Sequence, residues 1–305
     1  MANNYNQTKI RHTTAATVIT WVLIFLCILW ILPVAGILVT SFRTADATNS
    51  TGWWKAFSDI KAFTLDNYDQ VLFGQRYSVG NMSGTKTIRG ATMTSAFLSS
   101  ITVTIPSVII PIFIACAAAY AFAWLDFKGR KLFFGAIIAM LVVPLQISLI
   151  PILRDYQKLG LNGTYLGIWL AHTGFGLPLA TYMMYNYIST LPRSILESSF
   201  IDGASHFTTF VRLILPLSVP VILSFTIFQF IWVWNDMLVA LVFLSGAGQG
   251  SEVVTVRLMN MAGTRGTDWH LLTAGAFVSM ILPLSVFLSL QKYFVKGLLA
   301  GSVKG

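Results

Sequence analysis

Charge is what this sequence has least of. Asp, Glu, Lys and Arg supply 10% of its 305 residues, against about 25% in soluble domains. A soluble fold has to keep much of its surface polar. A chain with 55% hydrophobic residues cannot, which excludes an ordinary soluble domain. Cysteine is nearly absent too. Cys27 and Cys116 each fall inside an apolar run, which points to packing rather than a disulfide. The Gly-Lys dipeptide occurs nowhere, and a phosphate-cradling loop needs it. No cluster of His, Cys, Asp and Glu has metal-ligand spacing, and no nucleophile constellation is present, so a membrane-embedded enzyme lacks its parts. The strict alternation of a membrane barrel is missing, as are a defensible internal repeat and any low-complexity tract. The net charge of +9 invites a nucleic-acid reading. It fails because the basic residues sit between apolar runs, where membrane proteins concentrate them.

What is there is a set of long apolar runs. Crossing a bilayer core of about 30 Å takes roughly 20 helical residues. Six stretches qualify, near 17–39, 95–124, 132–153, 165–188, 217–244 and 271–293. Backbone groups in lipid must bond internally, so these are expected to be helices. The expected fold is therefore all-α: one polytopic membrane domain over 1–305 with six transmembrane helices. Lys9 and Arg11 precede the first run, which is long enough to stay in the bilayer, so no removable signal peptide is expected. Pro33, Pro106, Pro111, Pro144, Pro178 and Pro283 fall inside these runs and are candidate kinks. Placing the N-terminus in the cytoplasm puts Lys128, Arg130, Lys131, Arg193, Arg212 and Lys292 inside, as the distribution of basic residues favours. The loop at 41–94 then lies outside. Its Trp53, Trp54 and Phe57 are either an interfacial anchor or a protein contact.

The informative segment is the predicted cytoplasmic loop at 189–216, within which Leu191–Pro216 reads LPRSILESSFIDGASHFTTFVRLILP. Pro192 suits the first position of a short helix running to Ile201. Asp202 and Gly203 end it, since Gly readily takes a left-handed conformation. Ser205 can cap a second helix whose Phe207, Phe210, Val211 and Ile214 share one face. Periodicity alone leaves open an ordinary loop on the membrane surface.

The spelling resembles the signature of ATP-binding-cassette importer permeases. Glu197, Ser198 and Ser199 stand in the Glu-Ala-Ala place, Gly203 at the glycine, Leu213 at the isoleucine, and Leu215 with Pro216 at the ending. The resemblance implies that this loop is the coupling helix, with Asp202, Gly203 and Ala204 at the corner that docks on an ATPase subunit. Stretches such as PLQISLIPILRDYQKLGLNGTYLGIWL and FIWVWNDMLVALVFL are similar to the carbohydrate-uptake, maltose-type branch. WLAHTGFGLPLA and DWHLLTAGAFVSM look most like alpha-glucoside permeases. That implies an ATP-driven importer for an alpha-glucoside or other oligosaccharide, a multi-pass protein of the bacterial inner membrane with both termini cytoplasmic. The implied partners are a second permease, two ATPase subunits that bind ATP and Mg, and an extracytoplasmic sugar-binding protein. The C-terminal Gly301, Ser302, Val303, Lys304 and Gly305 would reach the ATPase subunits. The glycine-rich loop at 245–270 would reach the binding protein, or is a plain flexible connection.

Asp236 is the acidic residue inside a predicted span. An intramembrane charge is expensive and should face protein or water. One reading places it near the polar interface with Asn235 as partner. The other puts Trp232, Asn235 and Asp236 on a sugar pathway, since indole faces stack on sugars and amides and carboxylates bond hydroxyls. Helical spacing directs Trp234 elsewhere, toward other helices or lipid. His172 is expected to be a hydrogen-bonded packing residue. No residue is expected to be catalytic or metal-binding, and this chain is expected to hold no cofactor. A secondary transporter driven by an ion gradient remains the alternative, although it would usually show more intramembrane charges and a repeat.

Overall fold

The computed structural model describes residues 14–74, 76–81, 84–89, 92–248, 250–261 and 268–300, with backbone alone at 14–15, 76–81, 84–89 and 293–300. The chain begins with α1 (Thr14–Ser41), a long apolar helix. The segment predicted as an outside loop is folded. It holds α2 (Ala45–Ser50), two short 3-10 turns, α3 (Asp66–Phe73) and an antiparallel ribbon of β1 (Arg76–Asn81) and β2 (Gly84–Arg89). Apart from this ribbon the elements among the described residues are helical, as the all-α expectation has it. Arg43 organises this segment, donating to the carbonyls of Ala47 and Thr51 and to the Thr51 hydroxyl, while Asn67 donates to the carbonyls of Ser41 and Arg43.

Next come α4 (Met93–Trp124), α5 (Arg130–Ala139), α6 (Leu145–Lys158) and α7 (Tyr165–Ile188). The threonine side chains of Thr92 and Thr164 cap α4 and α7, supplying acceptors for N–H groups that have no helical partner. After them come α8 (Arg193–Ile201) and α9 (His206–Thr209), the latter continued by a π turn at Phe210–Ile214 and by α10 (Leu215–Leu217). Then follow α11 (Val219–Trp234), α12 (Leu238–Phe243), α13 (Val254–Met261) and α14 (Trp269–Ala300).

Among the described residues, three helices, within α1, α4 and α14, are long and apolar enough to cross a membrane, and two bent pairs pass the same test together, as broken spans or re-entrant loops. Two predicted spans are therefore not single helices. The stretch at 132–153 bends by 106° between α5 and α6. Pro144 has no N–H, and its ring pushes Val143 out of the helical region, to φ −74° and ψ 118°. The stretch at 217–244 begins at a 70° bend, centred on Ser218 between the helices 206–217 and 219–234, where Pro216 and Pro220 flank the joint and lack an N–H. It breaks again at 235–237. Helix α7 is less apolar than a lipid-facing span, for a physical reason: it lies against α4 along its length and against α11. Ala171, His172, Thr173, Gly176, Ala180 and Thr181 are all buried there. Small residues let these backbones approach closely. Gly176 faces the Gln229 side chain, which a Cβ would meet at 2.6 Å.

Candidate functional site

The loop between α7 and α11 forms a helix–corner–helix. Its first helix starts at Arg193, with Pro192 at the cap position rather than inside. It ends in a left-handed glycine, Gly203 at φ 80°. Gly203 N donates to Phe200 O at 3.0 Å and Ala204 N to Ser199 O at 3.0 Å, the pair of bonds of a Schellman end. Ser205 Oγ then accepts from Thr208 N at 3.2 Å and opens the second helix. Ser199 Oγ lies 3.0 Å from Thr209 Oγ1 and joins the two helices. Glu197, Ser198, Asp202 and Gly203 are exposed, and Ala204 is half-buried. Ile201 and Phe207 stand 86% and 76% exposed on the two sides of the corner.

Only part of the predicted shared face of the second helix packs inward, through half-buried Phe210 and buried Ile214. Phe207 and Val211 are exposed, while Thr209, Ile214 and Ser218 are buried. The first two buried positions are five apart, the period of the π turn between them. Pro216 explains that turn, because it cannot donate to Arg212 O and its ring crowds that carbonyl. Leu213 and Leu215 are half-buried and Pro216 is exposed. The corner is anchored inward by Leu196 and Ile214, which join Ala115, Tyr120, Met184 and Ile188 in one apolar cluster. Tyr120 Oη also meets His206 Nδ1 at 2.9 Å, a contact that neither residue's sequence context signals.

The second candidate region lies at the α11–α12 break, and its three residues part company. Asp236 caps α12: its Oδ1 accepts from Val239 N at 3.3 Å and its Oδ2 from Ala240 N at 3.1 Å. A carboxylate there also suits the positive end of the helix dipole. Asn235 is not its partner, since its amide donates to Ile231 O at 2.9 Å. His172 Nε2 sits 3.9 Å from Asp236 Oδ2. Contrary to expectation, neither ring nitrogen of His172 makes a hydrogen bond among the described residues. Trp232 packs edge-on against His172, centroids 5.3 Å apart, and opens onto a cavity of about 450 Å³. Tyr156 of α6, Phe175 of α7 and Ser148 share that cavity, while Asn235 and Asp236 do not. Trp234 is buried and donates to Ser279 O at 3.1 Å. The tail 301–305 lies outside the described residues.

The glycine-rich loop is tied to α4 at two points. Ser99 Oγ donates to Gly250 O at 2.7 Å, and Ser100 Oγ accepts from Val254 N at 2.8 Å. Part of this loop, 249 and 262–267, is outside the described residues.

Comparison with known proteins returns a helical membrane subunit of a transport system. Residues 79–299 match the family of binding-protein-dependent transport system inner membrane components, and the chain belongs to that family. It is a multi-pass permease of an ATP-binding-cassette importer, which removes the ion-gradient alternative. The osmoprotective compounds uptake permease protein GgtD of Synechocystis is 52% identical over 279 residues, covering 90% of this chain and 88% of the relative. The alpha-glucoside transport system permease protein AglG of Rhizobium meliloti is 40% identical, covering 94% and 98%. A crystal structure of a bacterial ABC transporter involved in the import of the acidic polysaccharide alginate matches with a TM-score of 0.70 at 18% identity. That match covers 92% of this chain and 96% of that one. At that identity the likeness speaks for the fold.

Proposed function

We propose that this permease admits an alpha-glucoside or another small oligosaccharide across the inner membrane, with both termini in the cytoplasm. It works beside a second permease, two ATPase subunits that hold ATP and Mg, and an extracytoplasmic sugar-binding protein. The corner Ile201–Ser205 docks on an ATPase subunit, and the tail Gly301–Gly305 reaches the same subunits. The observation that carries this reading is the corner itself. Two large apolar side chains, Ile201 and Phe207, are held in the open around a backbone turn that Gly203 fixes. An apolar pair presented this way suits a protein cleft. The side of Trp232 that lines the cavity with Tyr156 and Phe175 offers aromatic surface to a sugar passing between the two permeases. The glycine-rich loop meets the binding protein. ATP closure moves the corner, and the site alternates between the two sides of the membrane as a ligand-biased two-state switch.

Cysteine pairing tests the docking. Ile201→Cys in the assembled complex should cross-link to the ATPase subunit and respond to ATP. A corner that never cross-links, from Ile201→Cys or Phe207→Cys, ends this reading. The cargo is tested in proteoliposomes by uptake of a labelled alpha-glucoside. GgtD is by name a permease for osmoprotective compounds, so an osmoprotective solute is the competing cargo. Uptake of that solute with none of any oligosaccharide would replace the sugar assignment.

A further inference from the structure

Helix α4 touches both ends of the proposed machine. Near its start, Ser99 donates to Gly250 O and Ser100 accepts from Val254 N, the first residue of α13. Near its end, Tyr120 binds His206 in the corner at 2.9 Å. Some twenty residues lie between, about 30 Å at the helical rise of ~1.5 Å per residue. The helix runs unbroken through Pro106 and Pro111. The covalent route from loop to corner is less direct: it passes the break at 235–237 and the 70° bend at Ser218. A continuous packed helix transmits a displacement better than a jointed one.

The link at the corner end is built rather than incidental. Tyr120 is 5% exposed. Its ring lies 5.3 Å from that of Phe210 and 6.2 Å from His206, and Phe200 covers His206 at 4.9 Å. One hydroxyl thus ties α4 to the second helix of the corner, while Phe200 and the Ser199–Thr209 contact tie that helix to the first.

We propose that α4 is the strut that couples the glycine-rich loop to the corner, with Ser100 and Tyr120 the positioning residues at its two ends. The proposal rests on the docking reading above. When the binding protein engages the loop, α4 shifts and carries His206, and with it the corner, against the ATPase. The same path runs backwards on ATP closure.

The test uses the complete complex in lipid nanodiscs and reads the ratio of ATP turnover with loaded binding protein to turnover without it. Tyr120→Phe removes a hydroxyl and leaves the ring packing; Ser100→Ala removes one acceptor. Each should lower the stimulation ratio about fivefold, the lower end of ordinary coupling between sites. The double variant should be no worse than the more damaged single, because the two contacts act in series. If Tyr120→Phe does not assemble, His206→Ala breaks the same bond from an exposed position. Full stimulation in these variants, or effects that multiply, overturns the strut. The Ile201→Cys cross-link separates this from failure of the docking reading. Absent in the parent complex, it defeats the docking; present alongside untouched stimulation, it defeats the strut alone.

Discussion

The corner at 193–217 and the break at 235–237 are both places where a helix stops and a polar side chain caps the next one, yet they leave different side chains free. At the corner, backbone ends are closed by Gly203 and Ser205, so the outward side chains are free to meet something else. At the break, the acidic side chain of the predicted span, Asp236, is consumed in closing the start of α12. A charged residue in a span therefore signals either function or capping, and which one holds depends on whether nearby N–H groups lack acceptors.

The largest effect that would sharpen this contrast is at Gly203. A β-branched residue at φ 80° is strained by more than the roughly 1–2 kcal/mol that a left-handed conformation costs, while nothing within 4 Å of its Cβ would clash. Gly203→Val should reduce uptake to background at equal membrane abundance. Normal uptake by that variant would show that the corner's shape is dispensable.

A core substitution gives the next largest effect and a different signature. Gly176→Ala drives a methyl into Gln229, and overpacking of this kind costs about 1–3 kcal/mol. Thermal unfolding should fall, with uptake lost only in proportion to folded protein. Unchanged unfolding would mean the α7–α11 crossing can relax.

Asp236 and Trp232 should separate by readout. Asp236→Ala removes the cap of α12 and should cost about 1 kcal/mol of stability; Asp236→Asn keeps an acceptor oxygen and should be milder. Trp232→Ala should instead raise the solute concentration needed for half-maximal uptake. If Asp236→Asn damages uptake at low sugar with stability intact, the carboxylate belongs to the pathway after all, and the comparison with the corner collapses. Smallest of all, removing Ser302–Gly305 should lower ATP turnover modestly while leaving insertion unchanged. Equal turnover in the truncated complex would exclude a role for the tail.

Much of this was legible because local chemistry and the longer pattern agreed. The Gly203–Ser205 corner can be read from a few residues. The broken spans could not be, since hydropathy averages across a break. Pro111 and Pro178 are buried where α4 and α7 pack together and stay helical, but so do the exposed Pro33 and Pro151, so burial does not decide which proline breaks its helix. Pro144 follows a 3-10 turn, Met140–Val142, in which the α-helical run has already ended. The predicted face failed at Phe207 and Val211 for want of one residue, the extra member of the π turn. Tyr156 and Phe175 were invisible as partners of Trp232, because three separate elements create their cavity.

Helix α1 has a consequence for how this sequence can drift. Only 6% of its apolar stretch is buried within the chain, whereas α7 is crowded on several sides. Positions such as Val18, Leu23 and Ile28 are exposed, so they need apolarity but no particular shape. A mutational scan should find Leu, Ile, Val and Phe nearly interchangeable across α1, and tolerance ending abruptly at Gly36, where a Cβ would strike the Trp53 ring at 2.7 Å.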